Sequence, residues 1–194
     1  MSFFSELREE VFDILEKQLP PYLKYHSPEH TSYVLEKATY ISSKEEVTGR
    51  DLLLVQVAAL LHDIGFIEIN VGHEERSCQY AHQILTQYPV SAEEIKLIEG
   101  MIMSTRIPQQ PHTRLERIVA DADLEYLGTH RFAEFSQNLY LEFRHFDPTI
   151  DLARFNEIQV MFISNHQYHT NFCRRNREGK KKKHLQELIR SIQG

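Results

Sequence analysis

Apolar residues recur along this chain at the three- and four-residue spacing of helix faces, and no run alternates apolar with polar residues long enough to argue for a strand. The pattern predicts an all-α fold. A first helix over 3–18 carries Phe4, Leu7, Val11, Ile14 and Leu15 on one face and stops before Pro20-Pro21. Ser27-Pro28 reads as a cap followed by a first-turn proline, opening a helix to about 46 with Val34, Leu35, Ala38 and Ile41 inward. The stretch from Asp51 to Phe66 differs, because Leu52 to Val55, Val57 to Leu61 and Ile64 leave it almost no polar face. It predicts a buried central helix ended by Gly65. Further helices are expected over 73–87, 91–105, 113–127, 130–145, 151–166 and 180–192, with Pro89 and the stretch 107–111 (IPQQP) as breaks.

A chain of 194 residues is the size of one domain with a substantial core, and 41% hydrophobic and 26% charged residues exclude a collagen-like, low-complexity or largely disordered protein. With no linker or internal repeat, the expectation is one compact domain over 1–194: a motif-bearing core of about 20–130, C-terminal helices over 130–194, and a basic C-terminal helix or tail. No apolar run is long enough to span a bilayer, and charges interrupt the amino end where a signal peptide needs an apolar stretch. A cytoplasmic protein with no membrane partner is expected. Cys78 and Cys173 offer neither a disulfide framework nor a thiolate zinc site. The net charge of −6 hides an asymmetry: residues 171–194 carry eight Lys/Arg against two Asp/Glu, whereas residues 1–170 carry fourteen against twenty-six. A basic tail on an acidic body reads as solvated surface, and nucleic acid is not the expected partner.

One dipeptide stands apart. His62-Asp63 ends the most apolar stretch of the chain, and helical spacing stacks Asp63 on Val55 and Ala59, and His62 on Ala58. An unpaired carboxylate among such residues costs several kcal/mol, so a compensating cation is expected beside it. His30 and the pair Asp121 and Asp123 lie on two other helices, and imidazole with carboxylate suits manganese, iron, cobalt, nickel, zinc or magnesium. Taken singly, His30 reads equally as a surface histidine at a helix start, and Asp123 as a charge on a helix face.

Together, the runs YHSPEHTSYV (25–34), VAALLHDIGF (57–66) and ERIVADADLEYLG (116–128) resemble the three sequence blocks of the HD-domain metal-dependent phosphohydrolase superfamily, in order, spacing and apolar flanks. The resemblance implies an all-helical core in which His30, His62, Asp63 and one aspartate of the DAD run bind a divalent metal. Asp123 fits the late position better, with Ala122 before it and Leu124 behind; Asp121 is the alternative, otherwise a neighbour that orients a ligand. His26 is then a neighbour of the site. The run GHEERSCQYAHQIL (72–85) is similar to the helix that follows the doublet in several members.

A carboxylate near the metal can serve as general base or orient water, a role open to Asp63, Glu74 or Glu68. Glu74 and Glu75 also sit where a helix amino end favours negative charge. Arg106, in a run (103–111) resembling a loop of close relatives, is a candidate for gripping an anionic substrate or for a plain surface position. His73 is expected beside the site as a substrate contact or supporting group. His166 and His169, three apart and flanked by Asn165 and Tyr168, are expected at the surface, with a place at a substrate mouth as the alternative. No glycine-rich phosphate loop and no GxSxG elbow occurs.

The resemblance implies a hydrolase acting on a phosphate ester or anhydride of a small phosphorylated molecule such as a nucleotide. One divalent metal per chain is expected, since the region of MIMSTR (101–106), where two-metal members carry a further histidine, has none. The alternative is a ligand-sensing or partner-binding helical domain with a structural metal. Neither the substrate, the ion nor the oligomeric state is legible from the residues.

Overall fold

The computed structural model describes residues 3–193, and among them there are ten α-helices and no strand. They are α1 (Phe3–Gln18), α2 (Pro28–Lys44), α3 (Gly49–Leu61), α4 (His73–Leu85), α5 (Ala92–Met103), α6 (Arg114–Asp123), α7 (Phe132–Phe146), α8 (Leu152–Asn165), α9 (Asn171–Asn176) and α10 (Glu178–Gln193). Short 3₁₀ turns follow α3 at Ile64–Ile67 and α6 at Glu125–Gly128. No described helix is long and apolar enough to cross a membrane. Both cysteines are free thiols.

The apolar stretch predicted as the central helix does lie at the centre. Val55, Val57, Ala58, Ala59 and Leu61 are wholly buried, and α3 packs against α1, α2, α4, α5 and α6. Its all-round burial explains the missing polar face. The helix stops earlier than its pattern predicts, however. The α-helix ends at Leu61, His62 caps it, and Asp63, at φ −108° and ψ 4°, turns the chain into the 3₁₀ segment. Hydrophobic periodicity continues through that turn because Ile64 and Phe66 remain buried, so the pattern alone overruns the boundary.

Gly65 is needed there, for a reason other than capping. A Cβ on it would lie 2.2 Å from the carbonyl oxygen of His73, so the 3₁₀ turn presses directly on the start of α4. The Ser77 hydroxyl accepts from the Gly65 amide at 2.9 Å and locks that approach. The same overrun occurs at 113–127, where α6 ends at Asp123 and the remainder is the second 3₁₀ turn.

The expected basic C-terminal helix is present as α10, with most of its cations exposed, but it is packed on the body rather than appended to it. Residues 171–193 form α9 and α10, and α10 packs on α8 and on the 3₁₀ turn after α6. Cys173 is fully buried, Lys181 is only 3% exposed, and Arg177 pairs with the buried Glu125, which also accepts from the Tyr33 hydroxyl. Lys180, Lys182 and Lys183 remain exposed, so the segment is an amphipathic wall with one charged face. A second apolar cluster, including Tyr25, Tyr33, Leu124, Leu127, Phe135 and Ile163, joins this wall to α2 and the end of α6.

Candidate metal centre

Three helix ends deliver the chemistry. Ser27 caps α2 by accepting from the amide of His30 at 3.3 Å, with Pro28 in the first turn, and this fixes His30 one turn into the helix with its ring buried. His62 follows the last residue of α3, and its Nδ1 lies 2.9 Å from the carbonyl oxygen of Ala59. That bond makes Nδ1 the protonated nitrogen and leaves Nε2 as a lone pair. Asp123 is the last residue of α6.

These side chains meet at one point. The donor atoms of His30, His62 and Asp123 all lie within 4.8 Å of one another. His30 Nε2 is 3.1 Å from Asp123 Oδ1 and 3.4 Å from His62 Nε2. Asp63 Oδ2 lies 3.1 Å from His62 Nε2 and 3.4 Å from His30 Nε2. Yet Asp63 Oδ2 is buried with no hydrogen-bond partner, so these approaches are not hydrogen bonds. His30 Nε2 bonds Asp123 Oδ1, but the His62 Nε2 lone pair and the orphaned Asp63 Oδ2 face the same centre, an arrangement that a cation there would satisfy.

The electrostatics carry the same message. Burial opposes charge at Asp63 and Asp123, but the imidazoles of His62, His26 and His30 hold Asp63 well below the usual carboxylate range, and those of His30 and His62 bring Asp123 down to about 2. Against its own desolvation, His62 is pushed far up by Asp63 and Asp123. The pocket is built for positive charge. The donor set of two imidazoles and two carboxylates fits a divalent first-row or hard cation.

His73 and Glu74 stand beside Asp63 Oδ1. His73 fixes its Nδ1 on the carbonyl oxygen of Asn70 at 2.9 Å, and its Nε2 stands 3.6 Å from Asp63 Oδ1 and 3.6 Å from Glu74 Oε1. Glu74 is buried, while Glu68 is held by Arg76 on the exposed side and does not line the cavity. Arg106 is turned toward Glu75, with which it pairs, and toward Glu74 Oε2 at 3.6 Å; its guanidinium does not line the cavity.

Asp121 departs from its expected place as a neighbour that orients a ligand. Two residues apart on one helix, Asp121 and Asp123 face different sides. Asp121 accepts from the amides of His169 and Thr170, both at 2.8 Å, and from the Thr170 hydroxyl at 2.6 Å, so it anchors the start of α9. His166 is likewise not a surface residue: it is largely shielded, and Lys181 Nζ reaches its Nδ1 at 3.2 Å.

Glu142 on α7 is the residue that sequence reasoning missed. It is 4% exposed, accepts from the amides of Tyr25 and His26 at 2.5 and 2.8 Å, and meets His26 Nδ1 at 2.8 Å. Burial works against a charged His26, and the bond to Glu142 outweighs it, raising the imidazole above its ordinary value. His26 stacks on Phe66, and Phe66 on His73, with centroids 3.9 and 3.8 Å apart. Nothing in the sequence of α7 sets Glu142 apart from Glu134, and it lies 116 residues from its partner.

His26, Asp63, His73, Glu74 and Asp123 share a cavity of about 280 Å³ with residues of α7 and α8. A protein-family model for the HD domain matches residues 29–125. No curated protein matches the sequence. Among solved structures, the chain is similar to a predicted HD superfamily hydrolase from an uncultured Thermotogales bacterium, at 22% identity and a TM-score of 0.64, over 95% of this chain and 90% of that one. That likeness is one of fold.

Proposed function

Because the chain belongs to the HD-domain family, we propose that it is a metal-dependent phosphohydrolase that cleaves a phosphate ester or anhydride of a small phosphorylated molecule. One observation carries the reading. His62 Nε2, its lone pair exposed by the Nδ1 bond to Ala59, stands 3.1 Å from an Asp63 oxygen that has no hydrogen-bond partner. That juxtaposition supports a cation held by His30, His62, Asp63 and Asp123. A divalent ion bound there supplies Lewis acidity toward a phosphoryl oxygen and makes water a better nucleophile at neutral pH.

The chain's own groups do the rest. Asp63 Oδ1 and Glu74 offer two acceptors to one attacking water, orienting it and taking its proton as attack proceeds. His73, its tautomer set by Asn70, stands between those carboxylates and limits where the water can sit. His26 serves as the acid on the leaving side, donating a proton to the departing oxygen from Nε2, while Glu142 on Nδ1 keeps the imidazole protonated and aimed. One metal per chain is the expected stoichiometry.

The test is a screen of the purified protein with manganese, iron, cobalt, nickel, zinc and magnesium in turn, against nucleoside mono-, di- and triphosphates, cyclic dinucleotides and simple phosphoesters. Metal-dependent release of phosphate or of a phosphorylated product from at least one is expected. Release from none, with any ion, overturns the proposal.

A further inference from the structure

The cavity at the metal centre has two unlike ends. One carries the carboxylates and histidines already described. The other is walled by Leu139 and Phe143 of α7 and by Phe155, Ile158, Phe162 and Ile163 of α8. Gln159 is the polar side chain of that end among the described residues, and its amide is engaged: Oε1 accepts from Ser136 Oγ at 2.6 Å, and Nε2 donates to Asn156 Oδ1 at 3.3 Å. Thr105, on the opposite wall, donates its hydroxyl to the carbonyl oxygen of Ile102 at 2.8 Å. No Lys or Arg is among the described residues that line the cavity.

These facts eliminate ligands by chemistry. A nucleobase or sugar pushed into the far end would bury several donors and acceptors against hydrocarbon, at about 1–3 kcal/mol for each left unpaired. A second phosphate would meet no cation there. The volume points the same way. A dry cavity of about 150 Å³ lined by Leu, Ile and Phe holds one benzene ring. About 280 Å³ therefore accommodates one ring or branched alkyl group together with a phosphoryl group. Aromatic walls match that occupant, because ring faces gain from stacked or edge contacts beyond the area they bury.

We propose that the substrate is a phosphate ester of a compact apolar alcohol, aryl or branched alkyl, with its phosphate at the metal end and its apolar group between α7 and α8. This rests on the reading of the site as a phosphohydrolase centre, and it departs from the nucleotide suggested by the family resemblance. Leu139, Phe143, Ile158 and Phe162 then determine specificity, and none of them belongs to the catalytic machinery.

The experiment measures binding, not turnover. Benzylphosphonate and methylphosphonate, whose carbon–phosphorus bonds resist hydrolysis, are titrated calorimetrically into the full-length protein in saturating manganese, alongside adenosine monophosphate. Benzylphosphonate should bind at least about tenfold tighter than either, since burying a phenyl group is worth more than the corresponding 1.4 kcal/mol. Ile158→Trp, filling the pocket, should remove that advantage and leave methylphosphonate unchanged. Phe162→Ala, enlarging it, should shift preference toward naphthylmethylphosphonate, so the inference does not depend on one variant folding. Equal binding of the two phosphonates, tighter binding of adenosine monophosphate, or no binding of either phosphonate overturns the proposal. The apolar preference without hydrolysis of any phosphate compound would leave the pocket assigned and remove the hydrolase reading; hydrolysis without the preference would do the reverse.

Discussion

The metal centre and the wall formed by α7 and α8 meet in one cavity, yet they are encoded differently. His30 sits at a helix start that is written locally, in Ser27 and Pro28, while His62, Asp63 and Asp123 stand out by residue type, as ionisable groups where α3 and α6 give way to 3₁₀ turns. The wall has no such marks. Phe155 and Ile158 are ordinary members of an amphipathic helix, and only their packing opposite Leu139 makes them a pocket. Chemistry here is carried by residue type at a fixed point, and selection by the mutual placement of plain apolar residues.

The largest effect that would sharpen this contrast is at the centre. His62→Ala should abolish metal retention and lower turnover by about 10³-fold or more, since the remaining donors cannot complete the site. Asp123→Ala should lose the metal as well. Asp121→Ala should keep it and lower the melting temperature, because Asp121 anchors residues 169–170 rather than the ligands. Metal content per chain, measured beside activity, reads all three. If Ile158→Trp on the wall also loses metal, the two regions are not separable and the contrast breaks.

How far the sequence could be read follows the same division. The helical class and the burial of α3 are legible, because a 3.6-residue period integrates over many positions. The grouping of His30, His62, Asp63 and Asp123 comes from the resemblance of three sequence blocks, and the structure brings donor atoms of His30, His62 and Asp123 within 4.8 Å of one another. The two helix ends at Leu61 and Asp123 are not legible, since Ile64, Phe66, Tyr126 and Leu127 stay buried in 3₁₀ turns and extend the apparent pattern. At the C-terminus seven cations between Arg174 and Lys183 read as solvent-facing, which holds for five; the burial of Lys181 and the pairing of Arg177 with Glu125 depend on partners up to 52 residues away. Arg106 and Asp121 carry plausible side chains at plausible positions, and their geometry is decided by Glu75 and Thr170 respectively.

Glu142 belongs to α7 but acts on the centre through His26, so it tests whether the wall contributes chemistry as well as shape. Glu142→Gln preserves an acceptor for the amides of Tyr25 and His26 and removes the charge that favours the imidazolium. Turnover number should fall about 10²-fold, the usual scale for one general acid. KM should stay within about twofold and metal content should be unchanged, since no ligand is touched. A rise in KM with an unaltered turnover number would make Glu142 a packing residue and return α7 to a purely shaping role.

The smallest expected effect separates the two regions by their histidines. At the centre, neighbouring carboxylates push His62 up; behind the wall, burial and the Lys181 ammonium bring His166 down to about 3. Lys181 Nζ donates to His166 Nδ1 at 3.2 Å and to its carbonyl oxygen at 2.7 Å, an arrangement open only to the neutral ring. The folded value lies below the unfolded value of 6.5, so the unfolded chain takes up the proton first. His166 therefore contributes its full stability above pH 6.5 and loses it progressively as pH falls toward 3. Near pH 5.5 the loss is about 1 kcal/mol, one pH unit of linkage reduced for partial exposure. His166→Asn should be less stable than the parent at pH 7.5 and should close part of that gap by pH 5.5, read from denaturant midpoints at the two pH values in the presence of a chelator. A gap that is the same at both would mean that the ring titrates alike in the folded and unfolded chains, and that the Lys181 contact is made by the carbonyl alone.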